Sequence, residues 1–255
     1  MKEHIKLAFE FAKKDLKERY AGTSFGQLWM LISPLITIFI YTVIFSDFMQ
    51  MRMNIVNSEY AYSIYLIPGL LGFNYFSITL SRLSTVIIDK AHIIKKISIP
   101  IWVYYISITL SEFVIYFISI IFGIVFLFLV HHISLNIFFI FILMSIITLF
   151  AFSLGVILSL FTPFFRDLKE AVPIILQLWF WATPIIYIKD MIYSKCPFIV
   201  DYNILYYFIE PMQQLFLYWT FDKKDILISI TVSIVLFLFA IWLYKKLISE
   251  IKDII

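Results

Sequence analysis

The chain has one cysteine, Cys196, and six glycines. A lone thiol forbids an internal disulfide and leaves no cysteine set for a structural metal. With so little glycine, flexible Gly-rich linkers and phosphate-cradling loops are missing. No G-x-x-x-x-G-K-[ST] run occurs, so the chain has no recognisable nucleotide-binding loop. Its nearest approach, Gly22-Thr23-Ser24-Phe25-Gly26, is followed by Gln27 and Leu28 in place of Lys and Ser. There is no H-E-x-x-H and no plausible Ser, His and Asp arrangement, so neither catalysis nor a bound cofactor or metal is expected of this chain. Charge is scarce as well, at 15% of residues, against about 25% in a soluble domain. The small net charge of +3 gives no argument for nucleic acid.

Hydrophobic residues make up 62% of the 255 positions, with 28 Phe, 16 Tyr and 6 Trp. A globule of this size could not hide that excess, because its surface grows along with its core. A soluble enzyme and intrinsic disorder are both excluded, and the chain belongs in a lipid bilayer. The N-terminus, Met1 to Tyr20, interleaves charged and apolar residues, so it lacks the continuous apolar core of a signal peptide. The first long apolar stretch, from near Trp29, is expected to stay as a membrane span.

A span needs about 20 mostly apolar residues. Six stretches meet or approach this: 29–48, 62–88, 101–130, 136–161, 172–188 and 226–244. The fifth is short, and the third follows Pro100, a helix-start residue. The aromatic segment 199–219 is interrupted by Asp201, Asn203, Glu210, Pro211, Gln213 and Gln214. Lipid would penalise such groups, and two short re-entrant helices shielded by protein fit better. The expected fold is an all-α integral membrane protein, a single domain over 1–255 with a six-helix bundle at 29–244.

Charge placement supports one orientation. With the N-terminus inside, Lys2, Lys6, Lys13, Lys14, Lys17, Arg19, Arg82, Lys90, Lys95, Lys96, Arg166, Lys169, Lys245, Lys246 and Lys252 are cytoplasmic. Arg52, Lys189, Lys195, Lys223 and Lys224 fall outside. Fifteen against five agrees with the positive-inside rule, and both termini are expected in the cytoplasm. Residues 3–20 place Ile5, Ala8, Phe9, Ala12, Leu16 and Tyr20 on one helical face, with lysines over much of the rest. That pattern describes an amphipathic helix in the headgroup layer.

Four features offer both a functional and a plain reading. The segments Asp89–Pro100 and Phe164–Glu170 serve either as simple positive-inside determinants or, with the N-terminal helix, as a face for docking a protein. Glu112 is the one formal charge well inside an expected span. It is either a coupling carboxylate in an ion- or proton-driven carrier or a buried acid bonded to a neighbouring helix. No companion acid lies at its depth. The run Gln177 to Pro184 sets Trp179 and Trp181 beside a helix-breaking proline. Its rings either stack on sugars along a pore or anchor and pack the helix.

The order of these elements resembles a known pattern. Arg19-Tyr20, then Gly26-Gln27-Leu28-Trp29, then Pro34 in the first span is similar to the start of the ABC-2 type permeases that export polysaccharides and polyol phosphates: the O-antigen, teichoic acid and capsule exporters. Phe164-Phe165-Arg166-Asp167-Leu168 matches the family's Phe-x-Arg-Asp-x before the fifth span. Thr183-Pro184-Ile185-Ile186-Tyr187 matches its Thr-Pro-Ile-x-Tyr ending, and Ser111-Glu112 matches in the third. The resemblance covers about residues 10–245. One departure is Tyr202-Asn203-Ile204, where members often show Tyr-Asn-Pro.

The resemblance implies six spans and a cytosolic interface helix. It implies that two copies of the permease pair as a homodimer with two copies of a separate ATPase, which alone binds ATP and Mg. It implies a coupling helix at 89–99 and gate helices at 199–219. The cargo would be a polymer on undecaprenyl diphosphate, threaded between the two permeases in the bacterial inner membrane. Arg19, Lys90, Lys95, Lys96, Arg166 and Asp167 then fall to ATPase coupling, and Tyr41, Trp179, Trp181 and Tyr187 to the channel. Tyr20, Gly26, Trp29, Pro34, Glu112 and Pro184 are left as structural positions. An ABC-2 drug exporter shares the fold and stays as an alternative.

Overall fold

The computed structural model describes residues 2–44, 60–96, 99–193 and 196–254, and every regular element among them is helical. The end of the first expected span (45–48), Asp47, Arg52, positions 97–98 of the expected coupling segment and Lys195 lie outside the described residues. In order the helices are α1 (Lys2–Glu18), α2 (Trp29–Thr42), α3 (Ala61–Asp89), α4 (Ala91–Ile94), α5 (Trp102–Leu129) and α6 (Ile140–Phe161). They are followed by α7 (Leu168–Ala182), α8 (Lys189–Tyr193), α9 (Pro197–Asp201), α10 (Tyr206–Tyr218) and α11 (Lys223–Ile254). Short 3-10 turns precede α2 and α6.

Among the described residues, four helices are long and apolar enough to cross a membrane: Ala61–Asp89, Trp102–Leu129, Leu135–Phe161 and Lys223–Ile251. Two of the six expected spans are shorter. The α2 helix has 14 residues and α7 has 15, so α7 is only about 22 Å long. The cause of the early end of α7 is local. Pro184 clashes with an α conformation at the residue before it, and Thr183 is accordingly extended (φ −97°, ψ 132°). Residues 183–188, expected inside the fifth span, are therefore non-helical.

α3 is the hub. It packs along α5, α6, α7 and α10, while α11 lies along α6 and α1 along α5. Without hydrophobic drive between helices in lipid, close packing has to hold the bundle. Phe150 of α6 stacks between Phe76 of α3, at 5.3 Å, and Phe208 of α10, at 4.4 Å. Tyr75 and Tyr116 stack at 4.3 Å. Gly155 of α6 sits so near Leu83 of α3 that a Cβ there would lie 2.6 Å from the Leu83 Cβ.

Thr162, just after α6, donates to the Ser84 carbonyl of α3 at 2.6 Å. The loop bearing α4 and the turn between α6 and α7 are thereby held at one end of the bundle. The first and last helices both reach the start of α5 there: His4 lies edge-on to Trp102 at 6.0 Å, and Tyr244 of α11 edge-on to Tyr105 at 6.2 Å.

Candidate functional site

The α1 helix does more than float on lipid. Its small residues Ala8 and Ala12 are buried, letting its backbone approach α5, and Phe11 stacks on Tyr104 at 5.5 Å. Ile5 and Phe9, expected on the same face, point outward. The helix is followed by a turn in which Gly22 (φ 81°) and Gly26 (φ 50°) are both left-handed. Only glycine takes that conformation without penalty, which explains the Gly26 of the motif. The turn brings Trp29, edge-on to Phe25, to the start of α2, where Pro34 is buried.

Where α1, α3 and α5 meet, four charges close into one network. Arg19 spans Glu112: its Nη1 donates to Oε2 at 3.3 Å and its Nη2 to Oε1. Arg82 of α3 donates through Nη1 to Glu112 Oε1 at 2.5 Å and to Asp15 Oδ2 at 3.0 Å, and through Nη2 to Asp15 Oδ1 at 2.5 Å. Arg19 also lies 3.7 Å from Asp15. Two acids and two guanidinium groups cancel. A carboxylate as buried as Glu112, at 3% exposure, is tolerable only with such partners. At Asp15, burial works against ionisation, but the hydrogen bonds and charge of Arg82 outweigh it and hold the carboxyl below its usual range.

Of this network, only Arg19 and Glu112 stood out in the sequence. Arg82 was grouped with the cytoplasmic residues, yet it sits within α3, so Glu112 is not the one charge inside a span. That position was itself the available signal, since a charge within a span calls for a partner. Arg19, assigned to coupling, turns inward to Glu112.

The remaining coupling candidates lie at the same end. Lys95, Lys96, Arg166 and Asp167 are exposed and Lys90 is half-buried. Phe165 is 63% exposed beside Arg166, so this end presents an apolar ring among cations. Ile93 and Ile94 anchor α4 against the core.

At the opposite end, the broken end of α7 is caught by tyrosines of α3. Tyr62 donates to the Ile186 carbonyl, while the Tyr65 hydroxyl lies 3.2 Å from the Pro184 carbonyl and 3.1 Å from that of Tyr187. Gln213 of α10 reaches the Ile185 carbonyl at 3.4 Å. Unwound backbone at membrane depth is tolerated only with such internal partners. Asn203 completes the tie: it accepts from the Trp179 indole at 2.8 Å and donates to Thr183 Oγ1 at 2.9 Å and to the Ala182 carbonyl at 3.1 Å. Its Oδ1 also accepts from the Leu205 N–H at 3.1 Å, forming the turn into α10. Of the polar interruptions of this segment, Asn203, Glu210 and Gln213 are buried, Gln214 is half-buried and Asp201 is exposed. The tyrosines were missed because they looked like any of the 16 in the sequence.

The four channel candidates are not alike. Trp179 is half-buried, edge-on to Phe76 at 5.6 Å. Trp181 is 58% exposed. Tyr187 is half-buried and donates to the Trp181 carbonyl, and Tyr41 shares a small cleft with Ile67 and Leu70 of α3. A further crevice of about 180 Å³ opens between α2, α3 and α5, with Arg19, Tyr20 and Glu112 in its wall.

Residues 7–217 match the family of ABC-2 type transporters. The chain belongs to that family. Membership makes this ABC-2 chain the membrane subunit of a transporter and not an enzyme, and implies an ATP-hydrolysing partner subunit. Two proteins of Klebsiella pneumoniae named O-antigen export system permease protein RfbA are each 31% identical to it over 245 residues, covering 95% of this chain and 92% of theirs. A Myxococcus xanthus protein of the same name is 28% identical over 187 residues, 71% of this chain and 68% of its own. The ABC-2 chain is thus a multi-pass membrane protein whose relatives are permeases.

Proposed function

We propose that this chain is the permease of an ATP-driven exporter that moves a lipid-linked, O-antigen-like polysaccharide out of the cytoplasm. The observation that carries this reading is its likeness, across nearly the whole of both chains, to permeases named for O-antigen export. In this reading α2 and α7 complete six passes and both termini are cytoplasmic in a bacterial inner membrane. α9 and α10 form the re-entrant gate, and two copies pair with two ATPase subunits. The cargo is a glycan on undecaprenyl diphosphate.

Lys95, Lys96, Phe165 and Arg166 suit ATPase docking because they are exposed together at the end where α1 begins. Arg19 serves that coupling indirectly, by fixing α1 to α5 through Glu112. A carrier driven through Glu112 is disfavoured, because two guanidinium groups already occupy that carboxylate. Trp181 is the channel aromatic with a largely exposed ring, edge-on to Phe180, while Trp179 is the one that positions the gate.

Two measurements test the reading. Deletion should leave lipid-linked glycan on the cytoplasmic side; cells whose surface glycan is unchanged, or whose sole defect is drug efflux, would refute it. Lys95→Glu with Lys96→Glu, and separately Arg166→Glu, should lower the amount of ATPase that co-purifies. Normal co-purification in both would remove the docking assignment.

A further inference from the structure

α3 is the most enclosed of the long helices, most of its residues being buried. The part of its surface that does look outward is polar. Asn74 is exposed midway along it, and Ser77, Ser81 and Thr85 follow at helical spacing, half-buried. Ile78 is the exposed apolar exception. Thr85 is bonded to Asp89 at 2.6 Å, but the Asn74, Ser77 and Ser81 side chains have no hydrogen-bond partner among the described residues.

Lipid-facing surfaces of the same protein look different. α11 turns Leu227, Ile234, Val235, Leu238, Phe239 and Trp242 outward, and α5 turns Phe117, Ile121, Val125 and Phe128 outward. An amide and hydroxyls in hydrocarbon without partners would be costly. The stripe on α3 therefore meets water or a polar occupant. At its upper end Asn74 forms part of the crevice between α2, α3 and α5, along with Ser33 and Thr37 of α2. The charges at the foot of that crevice, Arg19 and Glu112, are already spent on each other. Met30, Pro34, Leu71, Ile78 and Ile115 supply apolar wall, and the polar groups that remain are uncharged ones that both donate and accept.

We propose that the Asn74–Ser77–Ser81 stripe, with Ser33 and Thr37 across from it, is a hydrated track along which the neutral sugar residues of the cargo pass the inner half of the membrane. This rests on the exporter reading and deepens it. Sugar hydroxyls are donors and acceptors too, so they exchange water for the track's amide and hydroxyls with little net change. Many weak contacts of this kind let a polymer slide where one strong site would trap it. The aromatic Trp181 then acts at the far end of α7, beyond a polar entrance.

The test uses the assembled transporter in membrane vesicles. Single cysteines replace Asn74, Ser77 or Ser81 in a Cys196→Ser parent, and controls carry Leu238→Cys or Val125→Cys. A sulfonate-bearing methanethiosulfonate should label the three track positions at least about tenfold faster than the controls, since a thiol in apolar surroundings stays protonated and unreactive. Asn74→Trp and Ser81→Trp should then abolish surface glycan while the ATPase still co-purifies. Labelling no faster than the controls would overturn the track, placing the stripe in a dry contact with a second copy or in lipid. Rapid labelling with undiminished export in both tryptophan variants would overturn it as well, by taking the cargo off this path. Export by the Cys196→Ser parent checks the exporter reading separately: an exporting parent with unlabelled cysteines fails the track alone, and a parent that exports no glycan fails the reading beneath it.

Discussion

Trp179 donates its indole N–H to the Asn203 side chain across 24 positions of sequence, at 2.8 Å. The bond turns an aromatic residue that resembled a channel wall into a fastening between α7 and the helices that follow its break. Trp179→Phe keeps the ring on Phe76 but removes the donor, and Asn203→Ala removes the acceptor. In a double-mutant cycle on the purified protein the two should couple by about 0.6 kcal/mol, the average for hydrogen bonds between membrane helices, and by no more than about 1.7 kcal/mol. Strict additivity would mean that the bond contributes nothing.

The charge network should behave as a unit. Glu112→Gln keeps one acceptor oxygen but removes the negative charge that Arg19 and Arg82 share, and should lower stability by roughly 3–5 kcal/mol, the usual effect of breaking a buried pair. Thermal unfolding in detergent, followed by helical signal, reads the loss. A midpoint unchanged from wild type would show that the network is idle.

Asp15 links that network to pH. Its carboxyl titrates below its usual value because Arg82 favours the charged form. A depressed folded-state value gives stability that is fully present above the unfolded value, near 3.9. That stability is lost as pH falls through the folded one. The docking of α1 should therefore be constant from neutral to mildly acid pH and weaken only below about pH 4. Proteolysis within α1 as a function of pH measures this. Asp15→Asn should abolish the dependence and expose α1 at neutral pH too.

Gly155 and Leu83 predict a packing defect with its own remedy. A Cβ at 155 would meet the Leu83 Cβ at 2.6 Å, and backbone-borne atoms cannot swing aside. Gly155→Ala should destabilise the α3–α6 contact by roughly 1–3 kcal/mol. Leu83→Gly removes that Cβ together with the γ and δ carbons that also crowd the site, and the double variant should lie closer to wild type than additivity allows. Full additivity would refute the steric account.

Sequence reasoning reached the fold where physics is local. Continuous apolar runs set α3, α5 and α6 to within a few residues, and Pro184 announced the end of α7 by its effect on Thr183. The polar residues of 199–219 signalled a need for shielding, and Asn203, Glu210 and Gln213 are indeed buried. What escaped was pairing at a distance. Asp15 and Arg82 lie 67 positions apart, and Tyr65 and Pro184 lie 119 apart, so neither partner has a neighbour in sequence that marks it. The coupling and channel residues were chosen by resemblance, which assigns a role without a direction. It could not tell that Arg19 turns inward or that Trp179, unlike Trp181, is tied down.

The first and last helices both reach the start of α5, His4 against Trp102 and Tyr244 against Tyr105. A flexible linker joining the end of one copy to the beginning of another would stay on one side of the bundle and never need to cross it. Two permeases could then be made as one tandem polypeptide with a defect placed in either half. Such a chain would ask whether each copy must contribute its own track, or whether one intact half is enough to carry the polymer.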